Sequence, residues 1–306
     1  MTRLPQIGWL VDGRRLHLQD GPIDLIVEAH GAPPMVRAGY QAAIRRFTGL
    51  LDELCEELSE LRRAAQPGVC SLKSVVARRM HDAVVPFATD CFITPMAAVA
   101  GAVAEEILGA MTKVADLDRV YVNNGGDIAL HLAEGQFFTV GLVDRPDTPG
   151  LVGKTRIAAD DVTRGVATSG WRGRSFSLGI ADAVTVLART AAQADAAATI
   201  IANAVDLPDH PAVVRCAARD VQPDNDLGAR LITRDVGRLP FGDIQIALAS
   251  GVDCTRNLVA AGLIEGAALH LQGQTRVVAL KDIETQRSLP FRPDPMPTKA
   301  ESLMYA

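Results

Sequence analysis

The order of hydrophobic and polar positions divides the chain into strand-like and helix-like stretches. Residues 7–30 carry short apolar segments broken by Asp-Gly pairs, a pattern typical of a strand meander. Residues 44–61 carry apolar side chains at steps of three and four with charged residues between them, which predicts one long amphipathic helix. Further helices are predicted over 71–83, 96–111, 191–205 and within 247–263.

Alternating apolar residues predict several strands in the rest of the chain. The segment VYVNNGGDIALHL (120–132) indicates strand, turn and strand, because Asn-Gly and Gly-Asp accept positive φ. Other strands are predicted over 137–143, 165–170, 176–188, near 212–217, and as a hairpin in 266–280. Strands interspersed with helices favour an α+β fold with a mostly antiparallel sheet packed against helices.

The length of 306 residues allows a large hydrophobic core. We expect one domain over residues 1–282, alternatively built as two fused lobes. Residues 283–306 contain four closely spaced prolines, so we expect an extended Pro-rich tail there.

Composition and charge indicate which classes of partner the protein can bind and in which cellular compartment it is expected. The formal net charge is −5 without a long basic run, which argues against nucleic acid as a partner. No stretch reaches the roughly 20 apolar residues of a membrane span, and the N-terminus lacks a signal-peptide pattern. Five scattered cysteines without a CxxC pair fit a reducing cytosol. The sequence therefore predicts a cytoplasmic protein and leaves open whether it forms a homo-oligomer.

The helix over 191–205 carries the most specific arrangement of polar residues. Asp195 and Thr199 are four residues apart, so their oxygens lie on one face of the helix. Carboxylate and hydroxyl oxygens suit Mg²⁺, which takes few protein ligands. Alternatively, Asp195 interacts with the helix N-terminus and Thr199 bonds back to a carbonyl. The spacing by itself favours this second interpretation.

Two turns offer a second kind of candidate site. The residues Asn123, Asn124, Gly125, Gly126 and Asp127 form either a plain hairpin turn or a backbone that a phosphate or flavin approaches closely. Thr168, Ser169 and Gly170 end a predicted strand, where their polar groups either bind a ligand or complete a local turn.

Five motifs, taken in order, resemble the ApbE-like FAD:protein FMN transferases. They are VNNGGDIAL, GLVDRP, GVATSG, AVTVLA and ADAAAT, and the resemblance covers roughly residues 90–205. The segments PMAAVAGA (95–102) and PDNDLG (223–228) make the chain more similar still to an uncharacterised cytoplasmic branch of that superfamily that lacks signal peptides. The resemblance implies an ApbE-like, T-fold-like α+β domain.

The resemblance also implies cofactors and site residues. Family members bind FAD and Mg²⁺ and transfer FMN onto a threonine or serine of an acceptor flavoprotein. By this similarity, Asp195 and Thr199 become metal ligands together with a backbone oxygen of Ala100. The Asn123–Asp127 turn and the Thr168–Gly170 segment become walls of the flavin nucleotide site.

The chain also departs from the family pattern. Family members carry a histidine and a DPxTG segment after TSG, whereas this chain has WRGRSFSLGIAD (171–182). Arg174 and Asp182 remain as candidates for catalysis there, although an arginine is no general base near neutral pH. Gly101 stands at or near the place of a family lysine. We therefore expect flavin binding with FMN transfer or FAD diphosphate cleavage, alternatively a non-catalytic flavin- or metabolite-binding protein, or an enzyme acting on another phosphorylated small molecule.

Overall fold

The computed structural model describes residues 4–145, 150–280, 284–285 and 303–305. Its contacts divide the chain into two compact units. Unit 1 comprises Met1–Phe137, Ala158–Ala167 and Ala188–Ala196. Unit 2 comprises Phe138–Ile157, Thr168–Leu187 and Ala197–Ala306.

Strands and helices follow each other along the chain as an α+β protein requires. The strands are β1 Gln6–Trp9, β2 Leu16–Asp20, β3 Ile23–His30, β4 Arg119–Asn124, β5 Asp127–Leu132, β6 Phe137–Val143, β7 Leu151–Ala158, β8 Gly165–Ser169, β9 Ala183–Ala188, β10 Val213–Ala217, β11 Leu231–Val236, β12 Gly266–Leu271, β13 Gln274–Val278, β14 Glu284–Thr285 and β15 Leu303–Tyr305. The helices are α1 Pro33–Phe47, α2 Leu50–Glu56, α3 Leu58–Leu61, α4 Val75–Val84, α5 Val99–Thr112, α6 Ala191–Ala204, α7 Ala218–Val221 and α8 Phe241–Ala260. Two 3₁₀ turns cover Val85–Phe87 and Pro95–Ala98.

Unit 1 contains an antiparallel sheet with helices on one face. Strands β1 to β5 pair in sequence order, and the start of β8 then pairs with β5. Val27 of β3 lies opposite Val122 of β4, and both are fully buried. Helix α5 packs against β4 and β5 and also contacts α1. This layer of helix on sheet forms the core of unit 1 and holds the end of β4 beside α5.

Unit 2 contains three groups of paired strands. β12 pairs antiparallel with both β9 and β13, and α8 packs on β12. β10 and β11 form a separate antiparallel pair. β7 and β6 are flanked in a third sheet by β14 and β15, and β15 runs parallel to β6. The mostly antiparallel α+β class predicted from the sequence is confirmed, and the pairing of β15 with β6 is a parallel exception.

The prediction of one long helix over residues 44–61 is wrong. The chain leaves α1 after Phe47, and Gly49 adopts φ 84°, a left-handed conformation that ends a helix. The Thr48 hydroxyl donates to the Ile44 carbonyl at 3.0 Å and satisfies one of the last carbonyls of α1. The helical spacing of apolar residues continues beyond the break because α2 and α3 also bury their apolar residues.

The prediction of a strand over residues 176–188 is half wrong, since β9 begins only at Ala183. The side chain of Asn203 accepts a hydrogen bond from the Leu178 N–H at 2.9 Å. A Cβ on Gly179 would lie 2.1 Å from the Ala202 carbonyl oxygen, so this stretch packs directly on α6. A tertiary contact with a helix, which no local pattern encodes, replaces the strand pairing.

The Pro-rich tail lies mostly outside the described residues. Of residues 283–306, the structure describes Glu284–Thr285 and Leu303–Tyr305, which are the short strands β14 and β15. Among the described helices, none is long and apolar enough to cross a membrane. All five cysteines are free.

An ion-pair cluster joins α1, α4 and α5 in unit 1. Arg46 and Arg79 donate to the two carboxylate oxygens of Glu106 at 2.7 and 3.0 Å. Burial opposes ionisation of Glu106, but the hydrogen bonds from the two arginines outweigh it and hold its pKa below the usual range.

Glu106→Gln is expected to destabilise the protein by about 2 kcal/mol at neutral pH, because two partly buried guanidinium groups each lose one of their two carboxylate partners. Because the folded-state pKa of Glu106 is lowered, its stabilisation is present above the unfolded-state value and disappears as the pH falls through the folded-state value. As the pH is lowered, the melting temperature of the variant should therefore fall less steeply than that of the unmodified protein. A parallel downward shift at every pH would contradict this assignment.

Candidate functional site

The turn between β4 and β5 is a two-residue hairpin turn with an open side. Gly125 and Gly126 have φ angles of 68° and 114°, which residues with a Cβ rarely adopt. The Asn123 side-chain oxygen accepts a hydrogen bond from the Gly126 N–H at 2.8 Å and closes the turn. A Cβ on Gly126 would meet nothing within 4 Å, so the space beside the turn is open. Asp127 starts β5 opposite Asn124.

Asn124 connects this turn to helix α5. Its side-chain amide donates to the Ala100 carbonyl oxygen at 3.2 Å, and its own oxygen accepts from the Asp24 N–H at 3.4 Å. The residue is 7% exposed, so both polar groups are satisfied inside unit 1. The last residue of β4 thereby fixes the position and orientation of the first turn of α5.

Helix α6 meets the same turn of α5 at very short range. The Gly101 N–H donates to Asp195 Oδ2 at 3.0 Å. A Cβ on Gly101 would lie 2.3 Å from the Ala191 carbonyl oxygen, so only glycine allows this approach. Asn124, Ala100, Gly101 and Asp195 therefore form one continuous hydrogen-bonded cluster within unit 1.

The surroundings of Asp195 disfavour a lone negative charge. The residue keeps some exposed surface, while neighbouring atoms enclose its carboxylate. This burial raises the pKa of Asp195 to about 7, against the lowering effect of the N–H groups of Gly101 and Ala100. Thr199 lies one helical turn later on α6 and is partly exposed.

The donor set of this cluster fits a small hard cation. The described residues contain no group of three or more His, Cys, Asp or Glu side chains that could hold a metal. The oxygens available in this cluster of unit 1 are instead one enclosed carboxylate and one backbone carbonyl. Mg²⁺ accepts such a sparse set because water and substrate phosphates complete its coordination.

The other segment predicted to contact the nucleotide, residues 168–170, lies in unit 2. The Thr168 hydroxyl is 2.8 Å from the Thr185 hydroxyl of β9, and Thr168 and Ser169 are both partly exposed. Gly170 is buried, and a Cβ there would lie 2.5 Å from the Asp182 carbonyl oxygen. Gly170 is thus needed for packing.

Asp182 organises the segment that replaces the family histidine. One of its carboxylate oxygens accepts from the Trp171 indole N–H at 3.2 Å and from Arg172 Nε at 2.8 Å. The other accepts from the Gln272 N–H at 2.6 Å, and the residue is only 3% exposed. Both oxygens are occupied by donors, which suits a positioning role. Arg174, the other candidate, is an exposed residue.

Two contributors to the site escaped sequence-based reasoning. Glu105 of α5 accepts a hydrogen bond from the Ala192 N–H at 2.7 Å and so satisfies the N-terminus of α6. Gly165 lets β8 approach the chain at Thr190, where a Cβ would lie 2.1 Å from backbone atoms. A glycine inside a strand signals such an approach, whereas no local motif marks Glu105, which is 87 positions from Ala192.

A cleft of about 410 Å³ also opens in unit 1 beside the first turn of α6. Arg79 and Glu105 in its wall form an ion pair at 3.2 Å. Because the two opposite charges compensate each other, this pair gives the cleft no net charge that would attract an anionic ligand.

Asn124→Asp is expected to weaken the cluster, because the new carboxylate faces the Ala100 carbonyl oxygen without a proton to donate. The loss of this buried hydrogen bond and the repulsion together should lower stability by about 2 kcal/mol at neutral pH. Chemical denaturation at pH 7.5 measures the loss. Since a protonated aspartic acid regains a donor, part of the loss should be recovered towards pH 4 relative to the unmodified protein.

Comparisons with known proteins agree with the family that the order of the sequence motifs indicates. The chain matches the family model described as AbpE bacteria over residues 7–277. It is 40% identical to a UPF0280 protein of Methanopyrus kandleri over 142 residues, which are 46% of this chain and 54% of that protein. It is 30% identical to a UPF0280 protein of Methanobrevibacter smithii over 174 residues, 55% of this chain and 70% of that protein. The chain spans little more than half the length of the first of these relatives.

Solved structures of two ApbE proteins align with most of the chain at low sequence identity. The apo flavinyl transferase ApbE of Pseudomonas stutzeri aligns with 90% of this chain and 95% of its own, at 11% identity and a TM-score of 0.46. A mutant of the flavin transferase ApbE of Vibrio cholerae aligns with 91% of this chain and 97% of its own, at 10% identity and a TM-score of 0.43. The family assignment depends on the sequence match over residues 7–277, by which the chain belongs to the AbpE bacteria family of the ApbE-like superfamily.

Proposed function

We propose that this protein binds a flavin nucleotide, FAD, in a Mg²⁺-dependent manner and cleaves its diphosphate, either transferring FMN to an acceptor flavoprotein or releasing it. The observation that carries the proposal is the cluster of Asn124, Ala100, Gly101 and Asp195, which places an enclosed carboxylate beside a turn with open space around Gly126. The order of the sequence motifs, which resembles that of the ApbE-like flavin transferases, and the family match over residues 7–277 support the choice of ligand.

In this proposal the chain's own residues have distinct tasks. Asp195, Thr199 and the Ala100 carbonyl would hold Mg²⁺, which when bound would neutralise charge on a diphosphate. Asn124 fixes the Ala100 carbonyl, and Gly101 holds the Asp195 carboxylate through its N–H. Asn123, Gly125, Gly126 and Asp127 border the open space for the nucleotide. Thr168, Ser169 and Gly170 stay predicted ligand contacts, and a cytoplasmic location fits the five free cysteines.

A non-catalytic flavin-binding protein is the second candidate function. It is favoured by the segment 171–182, which contains no histidine and whose acidic residue Asp182 already accepts three hydrogen bonds. With Arg174 unable to accept a proton near neutral pH, the segment offers no general base.

Incubation of the purified protein with FAD separates the two candidates. The incubation is run with water as the only acceptor and again with an added acceptor flavoprotein that has a free threonine or serine hydroxyl. With Mg²⁺, the proposed enzyme produces AMP, detected by chromatography, together with free FMN in the first case or a covalently flavinylated acceptor in the second; EDTA should abolish the reaction. Mg²⁺-dependent binding of FAD without AMP would support the binding protein. Failure to bind FAD with or without Mg²⁺ would reject both candidates.

A further inference from the structure

Strand β1 is an edge strand of the unit 1 sheet with an apolar surface. Ile7 and Trp9 are 46% and 54% exposed, and Leu4 and Val11 on either side are 77% and 109% exposed. The sequence from Leu4 to Val11 contains no charged residue. Edge strands of monomeric proteins usually carry charges that prevent pairing with other chains. The edge therefore lacks the common protection against intermolecular pairing, apart from Pro5.

The hydrogen-bonding direction of β1 follows from its register with β2. The Leu10 N–H donates to the Arg15 carbonyl at 2.9 Å, so this pair is a hydrogen-bonded pair. Hydrogen-bonded and non-hydrogen-bonded pairs alternate along an antiparallel ladder, so Gly8 and His17 form the next hydrogen-bonded pair. Ile7 and Trp9 occupy the non-hydrogen-bonded positions, and their N–H and C=O groups therefore point away from β2 to the open edge. Within the described part of the chain, no strand pairs with that edge.

We propose that β1 pairs antiparallel with β1 of a second copy of this chain around a two-fold axis at Gly8. In this register, Ile7 lies opposite Trp9 of the second copy, and the two residues exchange both backbone hydrogen bonds. Gly8 faces itself in a non-hydrogen-bonded pair, where Cα atoms come within about 4.5 Å. A Cβ on Gly8 would meet nothing within 4 Å in the single chain, so a side chain introduced at this position has room.

Self-complementarity identifies a second copy as the occupant. This register uses all four outward backbone groups of β1. Pairing Ile7 with itself would set Trp9 opposite Pro5, which has no N–H, and pairing Trp9 with itself would set Ile7 opposite Val11, which lies in the turn after β1. Although the chain carries a net charge of −5, the strand itself is uncharged, so two copies meet there without local repulsion.

The exposed apolar area is also of the right size for a dimer. Leu4, Ile7, Trp9 and Val11 together expose on the order of 500 Å², which is more than half of the about 800 Å² per partner in a standard interface. Trp9 is preset for this contact, because it packs edge-on against Tyr40 of α1 with ring centroids 5.1 Å apart.

Light scattering after size exclusion tests the dimer at about 100 μM, since interfaces of this size give micromolar or tighter dissociation constants. The unmodified chain should run as a dimer, and Ile7→Pro should raise the dissociation constant at least tenfold. Proline removes an N–H that points to the open edge and bonds nothing in β2, so the melting temperature should stay nearly unchanged. Trp9→Lys should act likewise, whereas Val69→Lys, at a 61% exposed site elsewhere, should not.

A disulfide tests the register. Gly8→Cys should form a disulfide-linked dimer on mild oxidation, because the residue faces itself across the axis. Gln6→Cys should not, since its two copies would be separated by four residue steps, roughly 13 Å. The unmodified chain, with its five free cysteines, gives the background of unrelated disulfides. A monomeric unmodified chain, or a dimer insensitive to Ile7→Pro with equal crosslinking of both cysteine variants, would overturn the proposal.

Discussion

Gly101→Ala is expected to lower the stability of the protein by about 3 kcal/mol. The added Cβ would lie 2.3 Å from the Ala191 carbonyl oxygen and 2.7 Å from the Ala192 nitrogen, and neither backbone atom can rotate away as a side chain can. The two helices have to separate, which weakens the hydrogen bond between the Gly101 N–H and Asp195. The melting temperature should fall by roughly 5–10 °C, measured by circular dichroism.

Gly109→Ala on the same helix is the matched control. A Cβ on Gly109 would meet nothing within 4 Å, and alanine favours a helix over glycine. This variant should therefore be about 0.5–1 kcal/mol more stable than the unmodified protein. If both variants became more stable by similar amounts, helix propensity would explain them, and the close approach of α5 and α6 would be rejected.

The same contact limits what position 101 can contribute to a site. The backbone of α6 fills the space that any side chain there would need. The proposed function therefore uses only the backbone N–H of Gly101, which donates to Asp195.

Local chemistry was sufficient to predict the parts of the site that are local. The Asn-Gly-Gly-Asp turn followed from residues that accept positive φ, which Gly125 and Gly126 both show. Gly101 within the predicted helix has no side chain that would keep another element away, and the backbone of α6 does come close there. The position of Asp195 on a helix followed from apolar periodicity and is likewise confirmed.

The contacts that join these elements could not be predicted in the same way. The hydrogen bond from Gly101 to Asp195 spans 94 positions, and the one from Asn124 to Ala100 spans 24. Such pairs depend on how helices dock on a sheet, which the order of apolar residues does not specify. The role of Asp182 was hidden for the same reason, since its partner Gln272 is 90 positions away.

Asp195→Asn is expected to weaken FAD binding in the presence of Mg²⁺ on the order of 100-fold, since even residues that only support metal ligands contribute up to that factor. The amide keeps the shape of the side chain and retains an oxygen that can accept from the Gly101 N–H. It removes the negative charge that would bind the cation. The apo protein should stay as stable as the unmodified one or become slightly more stable, because an enclosed carboxylate without a counter-ion is costly.

Calorimetric titration of FAD with Mg²⁺ and with EDTA distinguishes the loss of a metal ligand from a loss of structure. EDTA should weaken binding to the unmodified protein and to Asp82→Asn, which removes an equal charge from a carboxylate that is 80% exposed in the same unit. Asp195→Asn should bind FAD equally weakly in both solutions, with its melting temperature intact. Mg²⁺-dependent binding of normal strength in Asp195→Asn would show that the cation is held elsewhere. Because the same variant leaves the turn at Gly125 and Gly126 unchanged, any Mg²⁺-independent binding that remains measures what the open turn contributes to holding the nucleotide.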